Sequence, residues 1–394
     1  MAGSGVGATT LGDLPEWIVV EEILVRLSPK YLVRCRAVRK YWHSATSSDK
    51  FTLDHRRRQP LLPILSHSVD HKYRRLLVSG DAGVGQERLC PVIKSYGYGK
   101  LQAALDGLFI VSHADDRTTE FFVCNPVTHK CAPLGKPQIR QGFHHRIVGF
   151  YRHQPSGEYR VLWGSSPTYW NAYDTNYQTF YYVIAVGSDN ARCIRRGCVP
   201  RPVVLSPSLE LVLCHGLPGS SGYPPVHHRG NMHWKFGNYH GVDEAYIMVF
   251  DTAAETFRLM CRPAQLRPRD LLLLEMDGTL ALCSFSIDRD TIDVWVIQDY
   301  DTETWSFKRQ INLSGVDPSP PVDSNDLRLP CPRIAVLKQA ELLIQFTQKR
   351  VLRYDMDGKF LGHAKNDEGQ ENKLWITKHY HQESVVSLPR FHEI

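Results

Sequence analysis

Residues 120–134 read EFFVCNPVTHKCAPL: an apolar run, a turn begun by Asn125 and Pro126, and a return run. Short apolar runs bounded by Asn, Asp, Gly and Pro are strand signals, and a tight turn between two of them predicts an antiparallel hairpin. The same plan recurs as YIMVFDTAAETFRLM (246–260), DVWVIQDYDTETWSFKRQI (293–311) and VLRYDMDGKFLGH (351–363). The turn residues Asn125, Asp251, Asp299 and Asp355 stand 126, 48 and 56 positions apart, and YVIAVGSDNARCI (182–194), turning near Ser188, bisects the long gap. A repeat of about 50–60 residues matches a propeller blade, a little long for the commoner types, and leaves room for roughly six or seven blades.

Working outward, RRLLVSG (74–80), GLFIVSH (107–113), YRVLWG (159–164), FYYVIAVG (180–187), LLLLEMDG (271–278) and ELLIQF (341–346) share this strand texture. Helical periodicity is nearly absent after residue 60. It is concentrated in LPEWIVVEEILVRLSPKYLVRCRAVRKYW (14–42). Pro15 suits the first helical position and Glu16 the positive end of a helix dipole, and Val20, Ile23, Leu24 and Leu27 form an i, i+3, i+4, i+7 stripe. Ser28-Pro29 signals a second helix with Leu32, Cys35 and Val38 on its apolar edge, and a third carries Tyr41, Trp42 and Ala45 before the turn Ser47-Ser48-Asp49. So small a helical unit has too little interior for all its apolar faces, which implies a neighbour or a partner.

The expected fold is thus α+β multidomain: a small three-helix N-terminal unit, then a mainly antiparallel all-β domain built as a propeller. The expected boundaries are a tail at 1–12, the helical domain at 13–55, a linker at 56–70, the β-domain at 71–375 and a tail at 376–394. The chain has 394 residues, 42% hydrophobic and 22% charged, with a formal charge of +6. Residues 1–60 hold 10 Lys and Arg against 6 Asp and Glu, so +4 of the excess lies there. That suits an acidic protein partner as well as nucleic acid, and is far from a DNA-steering charge. Ten irregularly placed cysteines with no C-x-x-C pair read as buried thiols of a reducing compartment. With neither a signal-like N-terminus nor an apolar run of about 18 residues, the expectation is a soluble protein of the cytoplasm or nucleus, with no membrane partner.

Catalytic and metal signatures are missing. SGDAGVGQER (79–88) lacks the Lys-Ser/Thr ending of a phosphate loop, and GSSG (219–222) is not a nucleophile elbow. His144-His145 and His227-His228 are adjacent, so on a strand their side chains diverge, while His379 and His381 share a face in the expected tail. No catalytic residue, metal ligand or cofactor is assigned. Arg34, Arg36, Arg39, Lys40 and Arg56-Arg57-Arg58 read as a solvated helix face, with no aromatic-interleaved nucleic-acid module beside them.

Leu14-Pro15, Ile23-Leu24, Arg26-Leu27, Lys30-Tyr31-Leu32, Arg34-Cys35-Arg36 and Val38-Arg39-Lys40-Tyr41-Trp42 together resemble a plant F-box. Two departures stand out: one extra residue near Glu21-Glu22, and Arg39 where a cysteine is frequent. GLFIVSH, the Asn-Pro-x-Thr turn at Asn125–Thr128, VGFYRHQPSGEYRVLW (148–163), RGNMHW (229–234) and the run around Trp295 are similar, in order, to F-box-associated, kelch-like domains. The resemblance implies a non-catalytic substrate receptor of an SCF-type ubiquitin ligase, bound to a Skp-type adaptor and through it to cullin. It implies an adaptor-binding set of Leu14, Pro15, Ile18, Ile23, Leu24, Leu27, Leu32, Val38 and Trp42, with Trp42 the large anchor. For the captured protein target, the aromatic-rich run SSPTYWNAYDTNYQTFYY (165–182) offers Tyr169, Trp170 and Tyr173. A propeller scaffold or glycan-binding module unconnected with ubiquitin is the other class the residues admit.

Overall fold

The computed structural model describes residues 14–68, 73–80, 88–97, 100–114, 118–138, 142–167, 180–194, 224–235, 246–266, 271–286, 288–313, 328–337, 341–347, 350–365 and 374–388. It opens with α1 (Glu16–Ile18), which runs into a π-helical turn (Val19–Ile23) and a 3-10 turn (Leu24–Arg26), followed by α2 (Pro29–Arg36), α3 (Lys40–Thr46) and α4 (Asp49–Arg57). Pro29 occupies the start of α2 after Ser28, as its sequence signal predicts. The fourth helix is a correction to the three expected. Ser48, read as part of a turn, is its N-cap and accepts the Phe51 N–H at 3.3 Å.

The strands form six four-stranded antiparallel sheets among the described residues. The first holds β1 (Leu61–Ser68), β2 (Tyr73–Gly80) and β3 (Arg88–Gly97); the second, β4 (Lys100–Leu105), β5 (Leu108–Ala114), β6 (Thr119–Asn125) and β7 (Lys130–Pro133). The third comprises β8 (Phe143–Arg152), β9 (Tyr159–Pro167), β10 (Phe180–Ala185) and β11 (Arg192–Ile194); the fourth, β12 (Val226–His228), β13 (Asn231–Lys235), β14 (Tyr246–Asp251) and β15 (Thr256–Cys261). The fifth has β16 (Leu271–Met276), β17 (Thr279–Phe285), β18 (Thr291–Asp299) and β19 (Thr304–Asn312). The sixth has β20 (Arg328–Leu337), β21 (Glu341–Thr347), β22 (Leu352–Asp355) and β23 (Phe360–His363). The last strand, β24 (Leu374–Gln382), returns to pair with β1 and completes the first sheet in the order β24-β1-β2-β3.

These sheets are the blades of a propeller. Apolar clusters bridge the second and third, third and fourth, fourth and fifth, and fifth and sixth blades. Another joins the sixth, first and second, so the ring is closed. Closure corrects two boundaries. The expected linker at 56–70 contains the last turn of α4 and all of β1, and the expected tail from 376 contains most of β24, the innermost strand of the first blade. No sequence-local signal marks a strand whose partner lies some 300 positions away. His379 and His381 are accordingly buried.

Turn chemistry explains the regularity. Each repeat residue named from the sequence accepts two backbone N–H groups: Asn125 from Val127 and Thr128, Asp251 from Ala253 and Ala254, Asp299 from Asp301 and Thr302, Asp355 from Asp357 and Lys359. A second recurring signal went unread: the inner hairpins turn on Asp106-Gly107, Arg229-Gly230 and Asp277-Gly278, all at positive φ, the two-residue turn whose twist matches paired strands. Glu255 and Glu303, at positive φ four places after Asp251 and Asp299, bind across to the preceding blade. Glu255 takes Tyr151 Oη–H at 2.6 Å, Arg160 at 2.7 Å and Arg192; Glu303 takes Arg258 at 2.9 Å. The β6–β7 hairpin also sets Cys124 opposite Cys131, and the two form a disulfide, which corrects the reading of ten thiols.

Candidate functional site

Val19, Val20, Leu24, Val25, Leu32, Trp42 and Phe51 make the helical core. The buried pairs Val19/Leu24 and Val20/Val25 are five apart, the spacing that a π turn superposes. Leu24 N–H reaches Val19 O, five residues back, so the turn accommodates the extra residue noted near Glu21-Glu22. That widened turn is why the 3.6-residue stripe misplaces two members: Ile23 and Leu27 are only half-buried, while Val19 and Val25 are inside. Arg36 closes the unit from the side, donating to Thr46 Oγ1 at 3.0 Å and Thr46 O at 2.6 Å. His55 Nε2–H donates to Leu27 O at 2.8 Å, and burial holds its pKa below the ordinary imidazole value.

One side of this unit is already occupied. Val385 and Val127, both from the propeller, complete the helical core. Arg56 pairs with Asp106, Gln382 Nε2 donates to Gln59 O at 3.0 Å, and Asn125 Nδ2 donates to Ser384 O at 3.1 Å and Val386 O at 2.8 Å. Arg56 therefore departs from the solvated run expected of it, whereas Arg57 and Arg58 are exposed. These contacts use hairpin turns of the second blade. In a four-stranded antiparallel sheet the first and third turns share one end, so the helices sit on that face and the blade-to-blade connections lie on the other.

The helical unit also exposes large apolar side chains. Trp17, Tyr31, Val38 and Tyr41 are 57, 55, 65 and 50% exposed. Trp42 Nε1–H donates to Glu16 Oε2 at 2.6 Å, and the Arg39 guanidinium both pairs with Glu16 and lies 5.3 Å from the Trp42 ring. Fastening Arg39 and Trp42 to Glu16 ties the start of α3, with Val38 and Tyr41 beside it in sequence, to the start of α1, which carries Trp17. Of the nine residues expected to meet an adaptor, Pro15 and Val38 are exposed, Leu14, Ile18, Ile23 and Leu27 are half-buried, and Leu24, Leu32 and Trp42 are core. As placed, those three shape the surface from beneath. Trp17, a lone aromatic off the apolar stripe, carries no periodic signal in the sequence. Tyr169, Trp170 and Tyr173 lie outside the described residues, as do 81–87 and 219–222.

The model of the F-box associated beta propeller domain matches residues 84–318. The chain belongs to this family of plant F-box proteins. It is 23% identical over 378 residues to the Arabidopsis thaliana F-box protein At5g49610, covering 93% of this chain and 96% of that one. To the F-box protein At2g34280 of the same plant it is 25% identical over 335 residues, covering 77% and 82%. Among solved structures, TolB from Acinetobacter baumannii is similar with a TM-score of 0.43 at 9% identity, over 82% of this chain and 67% of that chain. In this F-box protein the helical unit is thus the F-box and the ring of blades its associated propeller.

Proposed function

We propose that this F-box protein is the substrate receptor of an SCF-type ubiquitin ligase, in which the F-box docks on a Skp-type adaptor, and through it on cullin. The propeller captures a protein target for ubiquitination. The observation that carries this reading is that Trp17, Tyr31, Val38 and Tyr41 of the F-box stay exposed although the propeller already completes the core of the domain. Aromatic side chains desolvated at the centre of an interface are the usual carriers of binding energy. Basic residues around them, among them Arg34 and Lys40, suit an acidic partner. Catalysis is not the chain's task on this reading: it raises the target's effective concentration at the ligase's enzyme. A cytoplasmic or nuclear location follows. Contacts between the F-box and propeller fix the angle at which the target is presented, and the face remote from the helices is left for it.

The test is copurification of the full chain with a plant Skp-type adaptor, comparing wild type with Val38→Asp plus Tyr41→Asp. Both side chains are exposed, so the fold should survive the change. Adaptor recovery is expected to fall at least tenfold with an unchanged thermal melt; equal recovery overturns the assignment.

A further inference from the structure

On the propeller axis, beneath the F-box, lies a cavity of about 800 Å³. Five of the six inner strands contribute to it: Leu105 from β4, Val226 and His227 from β12, Leu272 to Glu275 from β16, Val336 from β20, and Lys378 to Tyr380 from β24. Arg57 to Leu61, where the F-box passes into the first blade, form the rim. We propose that this axial cavity is a binding site for an uncharged, largely apolar small molecule bearing hydroxyl or carbonyl groups. This is independent of the adaptor reading.

Three observations carry it. First, about half of the lining residues are aliphatic, and Leu61 stands 45% exposed on the wall. Pockets with apolar walls and a few convergent polar groups, in this size range, are the usual form of small-molecule sites. Second, β24 is bulged here. Pro63 pairs with Tyr380 and Leu65 with Ile376, and within the bulge Lys378 takes a φ of 69°, a strained conformation for a lysine. In a regular strand alternate side chains leave the axis; the bulge lets Lys378, His379 and Tyr380 all line the cavity. Third, the polar groups are poised for a neutral guest. His227, His379 and Glu275 make no side-chain hydrogen bond or ion pair among the described residues.

Three charged members of the lining have partners elsewhere, Asp106 in Arg56 and the Tyr159 hydroxyl at 2.9 Å, Asp277 in Lys308 at 2.6 Å, and Arg57 in Asp54, while Lys378 and Glu275 also stand on the wall. Burial holds the pKa of both imidazoles down to about 4. At neutral pH each imidazole therefore offers one N–H and one lone pair without charge. Such a chamber penalises an ionised ligand and rewards one with donors and acceptors on an apolar body.

The probe is Nile red, uncharged and apolar with one carbonyl, titrated fluorometrically into the full chain beside the anionic 1-anilinonaphthalene-8-sulfonate. Expected are saturable binding of one Nile red per chain, at least tenfold tighter than the anion, and at least tenfold weakening by Leu61→Trp, which fills the cavity from an already exposed position. Val226→Trp should act alike, so loss of fold in one variant leaves the other. Phe307→Ser, which removes an exposed apolar side chain on β19, should leave binding unchanged. No saturable signal, affinity unmoved by a folded cavity-filling variant, or loss with Phe307→Ser overturns the proposal.

Discussion

Replacing Val385 by alanine should loosen the F-box while leaving the far side of the propeller untouched. Val385 is 1% exposed and sits among Val19, Leu24, Leu32, Trp42 and Phe51, although it follows the last strand of the chain. Removing two buried methyl groups forfeits about 1.6 kcal/mol of transfer free energy, at about 0.8 kcal/mol each. The residual cavity raises this to about 2 kcal/mol, because the site cannot collapse freely. Asn125 grips the backbone on either side of Val385 through Ser384 O and Val386 O. About 2 kcal/mol is roughly a thirtyfold change in an opening equilibrium, since about 1.4 kcal/mol is tenfold. Amide hydrogen exchange on the full chain is the direct assay: amides of α2 to α4 should lose protection about thirtyfold, and those of β16 to β19 should not change. Equal loss in both regions, or none in the helices, would refute the idea that the F-box core is completed by the chain's end.

Glu255→Gln should lower global stability by about 2 kcal/mol, because the buried Glu255 carboxylate loses its charge beside the shielded Arg160 and the more exposed Arg192, and denaturant midpoints would report it. A glycine pair separates turn strain from collision. Gly107→Ala would place its Cβ 2.6 Å from Ser384 Cβ, whereas Gly278→Ala, at a similar φ, meets nothing within 4 Å. Both should cost about 1 kcal/mol from positive φ, and Gly107→Ala measurably more by urea melts; equal costs would deny the contact between the second blade and Ser384. Stability should also fall as pH drops from 6.5 towards 4. His381, stacked edge-on against Phe109, is buried with its pKa held down to about 4, so in this window the unfolded chain binds the proton that the folded chain refuses. The stability this contributes is fully present above 6.5, and up to about 3 kcal/mol is lost by pH 4. His381→Phe should flatten the pH dependence of the urea midpoint, and an unchanged slope would count against a buried neutral imidazole.

How much of this was legible beforehand varies by element. The Asn and Asp turns were read because one carboxamide or carboxylate accepting two nearby N–H groups is a contact among five consecutive residues. The Ser28-Pro29 start of α2 is local too, but it rests on the fixed proline torsion, since the Ser28 side chain makes no capping hydrogen bond. The Asp-Gly turns at 106–107 and 277–278 were equally local and could have been found by aligning the inner hairpins. The candidate surface was only half legible. Val38 and Pro15 are exposed as a docking residue must be, yet Trp42 looked like the largest anchor and lies inside, because Glu16 and Arg39 draw it against α1.

By itself the sequence determined the hairpins, their turns, the helix starts and the propeller plan, all of which rest on hydrogen bonds and torsions within a few residues. Only the tertiary structure decided that Leu374–Gln382 closes the ring rather than trailing from it, that Val385 finishes the F-box core, and that inner strands enclose a chamber. Those outcomes depend on which faces meet across some 300 residues of chain. No local propensity encodes that choice, because burial is a property of the pair of surfaces and not of either one.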